Sequence, residues 1–242
     1  MCIRDRLIEE INVQQIDHLL EIGPGKGAMT SLLLEKCESL TAIEIDKDLI
    51  RFLKKAYGDR KNFNLIEKDI LLYDPKELVR VNKLIGNIPY NISTPIIEWI
   101  IDNKSSFDEI FLMLQKEFGE RCVAQPNTKS YGRLSIFVQC FFDVTVIREV
   151  DKSSFTPSPK VQSIFLKLIP KVSDMTPNSL LMKNLSTLTR EAFSKRRKLI
   201  TNSLKSFFTE EDLVNLGIDR KSRPENLSVE TYIKLAKSIQ SG

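Results

Sequence analysis

A chain of 242 residues, 42% apolar and 28% charged, has the composition of an ordinary globule with room for one large domain, or one large and one small. No apolar run approaches the ~20 residues that span a bilayer, and the first apolar pair, Leu7-Ile8, is broken at once by Glu9-Glu10, unlike a signal peptide. Four scattered cysteines without a CxxC pair and a single histidine, His18, argue against a zinc site and histidine acid–base chemistry, while a net charge of +4 permits nucleic acid as a partner without demanding it.

In chain order, His18 stands before an apolar run and is expected to pack there. Residues 19–22 read as a strand, 28–37 as a helix, 40–45 as a strand and 47–57 as a helix. Residues 63–67 and 83–85 are further strands, 94–101 an apolar helix and 109–114 another strand. Residues 144–150 and 163–169 read as two late strands flanking a proline-rich loop, FTPSPK, at 155–160. This alternation predicts an α/β fold, a parallel sheet covered by helices on both faces. Residues 170–177 (PKVSDMTP) read as a linker. Beyond it Leu185, Leu188, Ala192, Leu199 and Ile200 fall on one helical face. A small all-helical domain is therefore expected over 173–242, after a first domain over 1–172. There is no internal repeat and no low-complexity tract.

The first strand runs into Glu21-Ile22-Gly23-Pro24-Gly25-Lys26-Gly27. Glycines in such a turn let a ligand approach the backbone. The stretch also fits GxGxxA through Gly23, Gly25 and Ala28, so a nicotinamide-dinucleotide fold competes. Glu44, in AIEID at the end of the next strand, is placed to hold ribose hydroxyls of either NAD or an S-adenosyl ligand. Asp69, in KDI, is a candidate acceptor for an adenine amine, with Ile70 against the ring. Taken alone, Asp69 also reads as a turn or cap residue.

The end of the fourth strand separates the competitors. GNIPYNISTP, residues 86–95, loads a turn with amides, prolines and an aromatic ring. Hydride transfer has no use for these, but alkylation of an aromatic amine does. The exocyclic nitrogen of adenine is a poor nucleophile because its lone pair is delocalised into the ring. Two acceptors gripping its N–H bonds favour a pyramidal nitrogen with a localised pair. The Asn87 side-chain oxygen and the Ile88 carbonyl are the expected acceptors. Pro89 stiffens the turn, and Tyr90 is expected to stack on the extruded base. The cationic product can shed its proton to water, so no strong base is required.

EIGPGKGAMT, AIEID, KDI and GNIPYNIST, in that order, resemble the S-adenosylmethionine-dependent RNA adenine N6-dimethyltransferases. LMLQKEFGERCVAQPNTKSYGRLS, FTPSPKVQS, AFSKRRKLITNSL and RPENLSVETY narrow the resemblance to the KsgA-type small-subunit ribosomal RNA enzymes, over residues 19–232. The Erm-type large-subunit enzymes share NIPYNIST and the FxPxPKV loop but not the LQKE…YGRLS or RRKLITNSL segments. They are one alternative; a non-catalytic assembly factor that binds the pre-ribosomal subunit is another. The resemblance implies a Rossmann-like class I methyltransferase sheet with a helical C-terminal domain. It implies two methyl groups on each of two adjacent adenosines near the 3′ end of small-subunit ribosomal RNA, on an assembling particle. S-adenosylmethionine would be the donor, without a metal, in a cytoplasmic monomer with no membrane contact. By this similarity Glu21, Gly23, Gly25, Glu44, Ile45, Asp69, Ile70 and Asn87 bound the donor. Asn87, Ile88, Pro89 and Tyr90 hold the target amine, and Phe155 stacks on the adenine from its other side.

Lys195-Arg196-Arg197-Lys198 is the main basic cluster. On a helical wheel Arg196 falls in the apolar stripe and is expected to pair inside the protein. Arg190, Arg197 and Lys198 are expected to meet RNA phosphates. One departure stands out. The family carries a Q-N-F-L segment upstream of the first strand that closes over the donor, and none precedes Leu19 here; Met1 to Arg6 resemble no part of the family. From this a truncated chain with weak donor binding is expected, with residues 7–11 as the tail of the preceding helix.

Overall fold

The computed structural model describes residues 3–78, 81–154, 161–172 and 179–239, apart from the side chain of Tyr90. Its strands are β1 (His18–Ile22), β2 (Ser39–Glu44), β3 (Phe63–Glu67), β4 (Lys83–Asn87), β5 (Glu109–Gln115), β6 (Phe142–Val150) and β7 (Ser163–Pro170). Between them run helices α1 (Ile3–Ile11), α2 (Thr30–Leu33), α3 (Lys47–Tyr57), α4 (Ser93–Asp102), α5 (Lys116–Val123) and α6 (Arg133–Phe141). After β7 come α7 (Leu180–Ser194), α8 (Ile200–Ser203), α9 (Glu210–Asn215) and α10 (Val229–Ser238).

Successive residues of a strand point to opposite faces, yet Leu19 to Ile22, Leu40 to Glu44 and Ile110 to Leu114 are buried without a break. Both faces of the sheet are therefore covered, as the continuous apolar runs predict. The seven strands lie in the order β3-β2-β1-β4-β5-β7-β6. β3, β2, β1, β4 and β5 are mutually parallel, but β7 runs antiparallel to β5, pairing Met113 with Phe165. The sheet is thus mixed, not wholly parallel. The Phe111 and Phe165 rings stack at 6.1 Å on β5 and β7. Leu7, Ile8 and Ile11 of α1 pack into the same core with Leu19, Leu33 and Leu40.

α3 forms where its sequence predicts. Its stripe buries Ile50 and Leu53, and the Asp46 side chain caps it by accepting from the Asp48 and Leu49 amides. The helix expected over 28–37 shrinks to the four residues of α2, flanked by turns. At the amino ends of the strands, buried Lys83 pairs with Asp17 at 2.8 Å and Glu109 at 3.4 Å, and donates to the Asn12 carbonyl at 3.1 Å. Asn82 joins them, donating to Asp17 at 2.7 Å and accepting from the His18 amide at 2.7 Å. His18 Nδ1 lies 2.7 Å from Ser39 Oγ, so the histidine packs between β1 and β2 as expected.

The chain divides into two compact units, Met1–Gly119 with Val144–Pro170, and Glu120–Asp143 with Lys171–Gly242. A cut at 172 places Glu120–Asp143 with the sheet, whereas in the structure that segment clusters with the C-terminal helices. In the second unit Leu185, Leu188 and Ala192 of α7 are buried with Tyr232 and Leu235 of α10. Phe193 lies 6.3 Å from the Tyr131 ring and 6.0 Å from that of Tyr232. The helix expected to run on to Ile200 stops at Ser194; Lys195 to Arg197 form a turn, Leu199 is exposed, and α8 begins at Ile200.

Candidate active site

Parallel pairing aligns the carboxyl ends of four strands. Ile22 sits opposite Ile43 and Gly86, and Glu44 opposite Glu67. Gly23, Glu44, Asp69 and Asn87 therefore emerge together on one edge, where the strand order reverses about β1 and β4. Crevices at such reversals are where open α/β sheets bind ligands.

Gly23 and Gly25 have φ of +60° and +59°, a left-handed conformation that side chains rarely adopt. A Cβ at either would meet nothing within 4 Å, so the space before the turn is open. The turn is fixed from behind: the Gly23 amide donates to the Ile43 carbonyl at 3.0 Å, and the Tyr57 hydroxyl at the end of α3 donates to the Gly27 carbonyl at 3.2 Å.

Glu21 is buried and accepts from Thr30 Oγ1 at 2.7 Å. Burial pushes its carboxyl up to about 7; the Thr30 hydroxyl opposes that shift and the Glu44 charge adds to it. Glu44 is 7% exposed, and its Oε1 accepts from the Ile45 and Asp46 amides at 2.9 and 3.0 Å. Its Oε2 has no hydrogen-bond partner among the described residues. Ile45, next along, is 66% exposed, whereas Ile70 is buried, so Ile45 offers the open apolar surface of the two. Asp69 caps the 3-10 turn Ile70–Leu72, its Oδ1 accepting from the Leu71 amide at 3.0 Å. The cap and the ligand readings are compatible, because the other oxygen makes no bond among the described residues.

β4 carries its pairing through Asn87, opposite Met113. Ile88 then turns its side chain into the core, 2% exposed, and its amide donates to the Met113 carbonyl at 3.0 Å. This anchor leaves Asn87 and Pro89 on the surface. Neither the Asn87 side chain nor the Ile88 carbonyl has a partner among the described residues. The turn then passes through Tyr90–Ile92 into α4, with the Ile92 amide on the Pro89 carbonyl at 3.1 Å. The Tyr90 side chain and Phe155 with its loop lie outside the described residues.

Three neighbours of the site carry no sequence signal of their own. Thr30 holds Glu21, Tyr57 holds the glycine turn, and buried Trp99 on α4 donates Nε1–H to the Tyr73 carbonyl at 2.9 Å. Burial pushes the Cys37 thiol up to about 11 and the Cys122 and Cys140 thiols up to about 12, so they stay protonated. Among the described residues no group of three or more His, Cys, Asp or Glu could hold a metal ion, and no helix is long and apolar enough to cross a membrane. Arg190, Arg197 and Lys198 are exposed on the second unit, and Arg196 pairs with Glu225 at 2.6 Å.

An S-adenosyl ligand fits these residues: an open glycine turn, a carboxylate with one oxygen unbonded among the described residues and an exposed isoleucine lie along one carboxyl edge of the sheet. Sheet order and the residues on its carboxyl edge, with the relatives below, define a Rossmann-like class I methyltransferase that depends on S-adenosylmethionine. The family described as ribosomal RNA adenine dimethylase matches residues 2–241, and this chain belongs to it. Residues 2–6, which by motif alone resemble no part of the family, lie inside that match. A Coxiella burnetii ribosomal RNA small subunit methyltransferase A is 38% identical over 240 residues, 98% of this chain and 92% of that one. A dimethyladenosine transferase structure from Plasmodium falciparum is 30% identical, covers 96% of this chain and 93% of that one, and has a TM-score of 0.80. The 23S rRNA methyltransferase ErmE, 22% identical over 98% of this chain and 96% of its own, has a TM-score of 0.74 and shares the fold alone. A nicotinamide dehydrogenase is thereby set aside.

Proposed function

We propose that this enzyme places two methyl groups on the exocyclic amine of each of two adjacent adenosines near the 3′ end of small-subunit ribosomal RNA. It acts as a monomer on an assembling particle in the cytoplasm. The observation that carries the chemistry is a pair of acceptors on one rigid turn, the Asn87 side chain and the Ile88 carbonyl, that have no partner among the described residues. Each accepts one N–H of the adenine amine, which localises the nitrogen lone pair. Pro89, at φ −58°, keeps the turn from relaxing. Tyr90 and Phe155 stack on the extruded base. S-adenosylmethionine, when bound, supplies the methyl group. Gly23 and Gly25 let its polar end reach the backbone, Glu44 holds the ribose hydroxyls, and Asp69 and Ile45 hold the adenine. The methylated nitrogen loses its proton to water. The choice of subunit is supported by the Coxiella relative's small-subunit name and by LQKE…YGRLS and RRKLITNSL.

The test is transfer of labelled methyl groups to unmethylated small subunits and to large subunits, with mapping of the modified base. Label on two adjacent small-subunit adenosines is expected. Label confined to large-subunit RNA would move the enzyme to the Erm type, and binding without transfer would leave an assembly factor.

A further inference from the structure

The second unit holds an exposed loop whose construction exceeds what a connection between helices needs. Residues 124–132 join α5 to α6. Asn127 sits at φ +69°, a left-handed conformation that asparagine tolerates better than most residues other than glycine. Its amide donates to the Glu225 carbonyl at 2.8 Å, and its side-chain oxygen accepts from Asn226 at 2.7 Å. The Thr128 carbonyl accepts from the Arg196 guanidinium at 3.2 Å, and Arg196 Nε donates to Glu225 Oε2 at 2.6 Å. The Tyr131 hydroxyl, buried, closes the loop on the Leu227 carbonyl at 2.9 Å.

These bonds bury little, since Asn127, Thr128 and Lys129 are all exposed. Their effect is to hold the loop in one shape against the Lys195-to-Lys198 turn. With Arg196 bonded to Thr128, Lys129 and Arg197 are each the next residue along the chain from that shared contact. Lys129, Arg197 and Lys198 make no side-chain ion pair among the described residues, and Glu225 is taken up by Arg196. Unpaired cations on a preordered backbone suit a phosphate chain, because no loop entropy is lost on contact and counterions are released.

We propose that Lys129 is a further RNA-phosphate contact, and that Glu225 and Asn127 are positioning residues that hold its loop beside Arg197 and Lys198. This rests on the reading of the Arg197–Lys198 surface as the RNA-binding face, and extends it to a segment far away in sequence. The contact is to backbone, so it sets register and orientation and not base choice.

The experiment is binding of the full chain to unmethylated small subunits across a salt series. Lys129→Gln is expected to lower the log–log salt slope by about one and to weaken binding several-fold, with melting temperature and methyl-donor affinity unchanged. Arg197→Ala is the comparator and should lose a similar slope. Glu225→Gln should raise KM for subunits several-fold at constant kcat, and Glu225→Asp should recover part of it. An unchanged slope for Lys129→Gln beside a reduced one for Arg197→Ala overturns the loop contact and leaves the RNA face standing. Unchanged slopes for both overturn the RNA face itself. A Glu225→Gln variant that melts earlier with KM unmoved makes Glu225 a structural residue and removes its positioning role.

Discussion

The two ends of the sheet are built from the same strands and treat their polar groups in opposite ways. At the amino ends, Lys83, Asp17, Asn82 and the His18 amide bond to one another, Glu109 pairs with both Lys83 and Lys167, and the His18 ring meets Ser39. At the carboxyl ends, the Asn87 side chain, the Ile88 carbonyl and one oxygen of Glu44 have no partner among the described residues. β4 carries both conditions within five residues, a saturated lysine at its start and an unbonded amide at its end. Saturated groups hold a fold together; acceptors kept open, on a backbone too well anchored to close over them, are what a reacting amine can use.

Substitutions at the two ends of β4 test that contrast most severely. Lys83→Ala leaves Asp17 buried without its cation, while Glu109 keeps Lys167, and is expected to destabilise by about 3–5 kcal/mol, read from denaturant midpoints. Transfer per folded molecule should hold; a parallel loss of kcat would mean the two ends are coupled. Asn87→Ala should do the reverse, slowing transfer by roughly a hundredfold or more at saturating substrates while the melting temperature stays put. Near-normal turnover would remove Asn87 from the reaction.

Glu21 lies between the extremes, buried like the amino-end network yet placed at the open edge. Its folded carboxyl titrates near 7 against an ordinary 4.5, so between those values the native state holds a proton that the unfolded chain has released. The stability linked to it is present in full below about pH 4.5 and is lost as pH rises through about 7. Relative to Glu21→Gln, the native sequence should lose on the order of 3 kcal/mol between those limits. Urea midpoints that track each other across this range would show that Glu21 ionises freely in the folded state. The mildest test is Trp99→Phe, which keeps an aromatic ring and deletes the bond to Tyr73. Donor affinity should fall by roughly three- to tenfold in calorimetry. An unchanged affinity with a lowered melting temperature would make Trp99 an ordinary core residue.

Where the pattern is local, the sequence is enough. α3 and β3 appear at the residues their periodicity marks, because an Asp46 cap and an apolar stripe act within one segment. Strand direction is not local. Ser163–Pro170 is as apolar as the parallel strands, and only its pairing with β5 makes the sheet mixed. α6 buries Ile136, Val138 and Phe141 and lacks a clear amphipathic stripe, so it hides among apolar runs. At the site, the glycine turn and GNIPY are legible because chemistry fixes their residue types. Thr30, Tyr57 and Trp99 are not, since each acts through one bond to a residue distant in sequence. Arg196 was legible as a paired residue, although the helix that placed it there ends before reaching it.

Asn87 is the last paired residue of a strand flanked by β1 and β5, and the next residue is pinned to Met113. Such an acceptor has no hinge and no reach. Travel therefore falls to the nucleic acid, whose adenosine must unstack and cross to a fixed point. The susceptibility of an RNA to this enzyme then depends on how loosely it holds its own bases, and a hairpin that tightens as a particle matures would close its adenosines to methylation without any change in the protein.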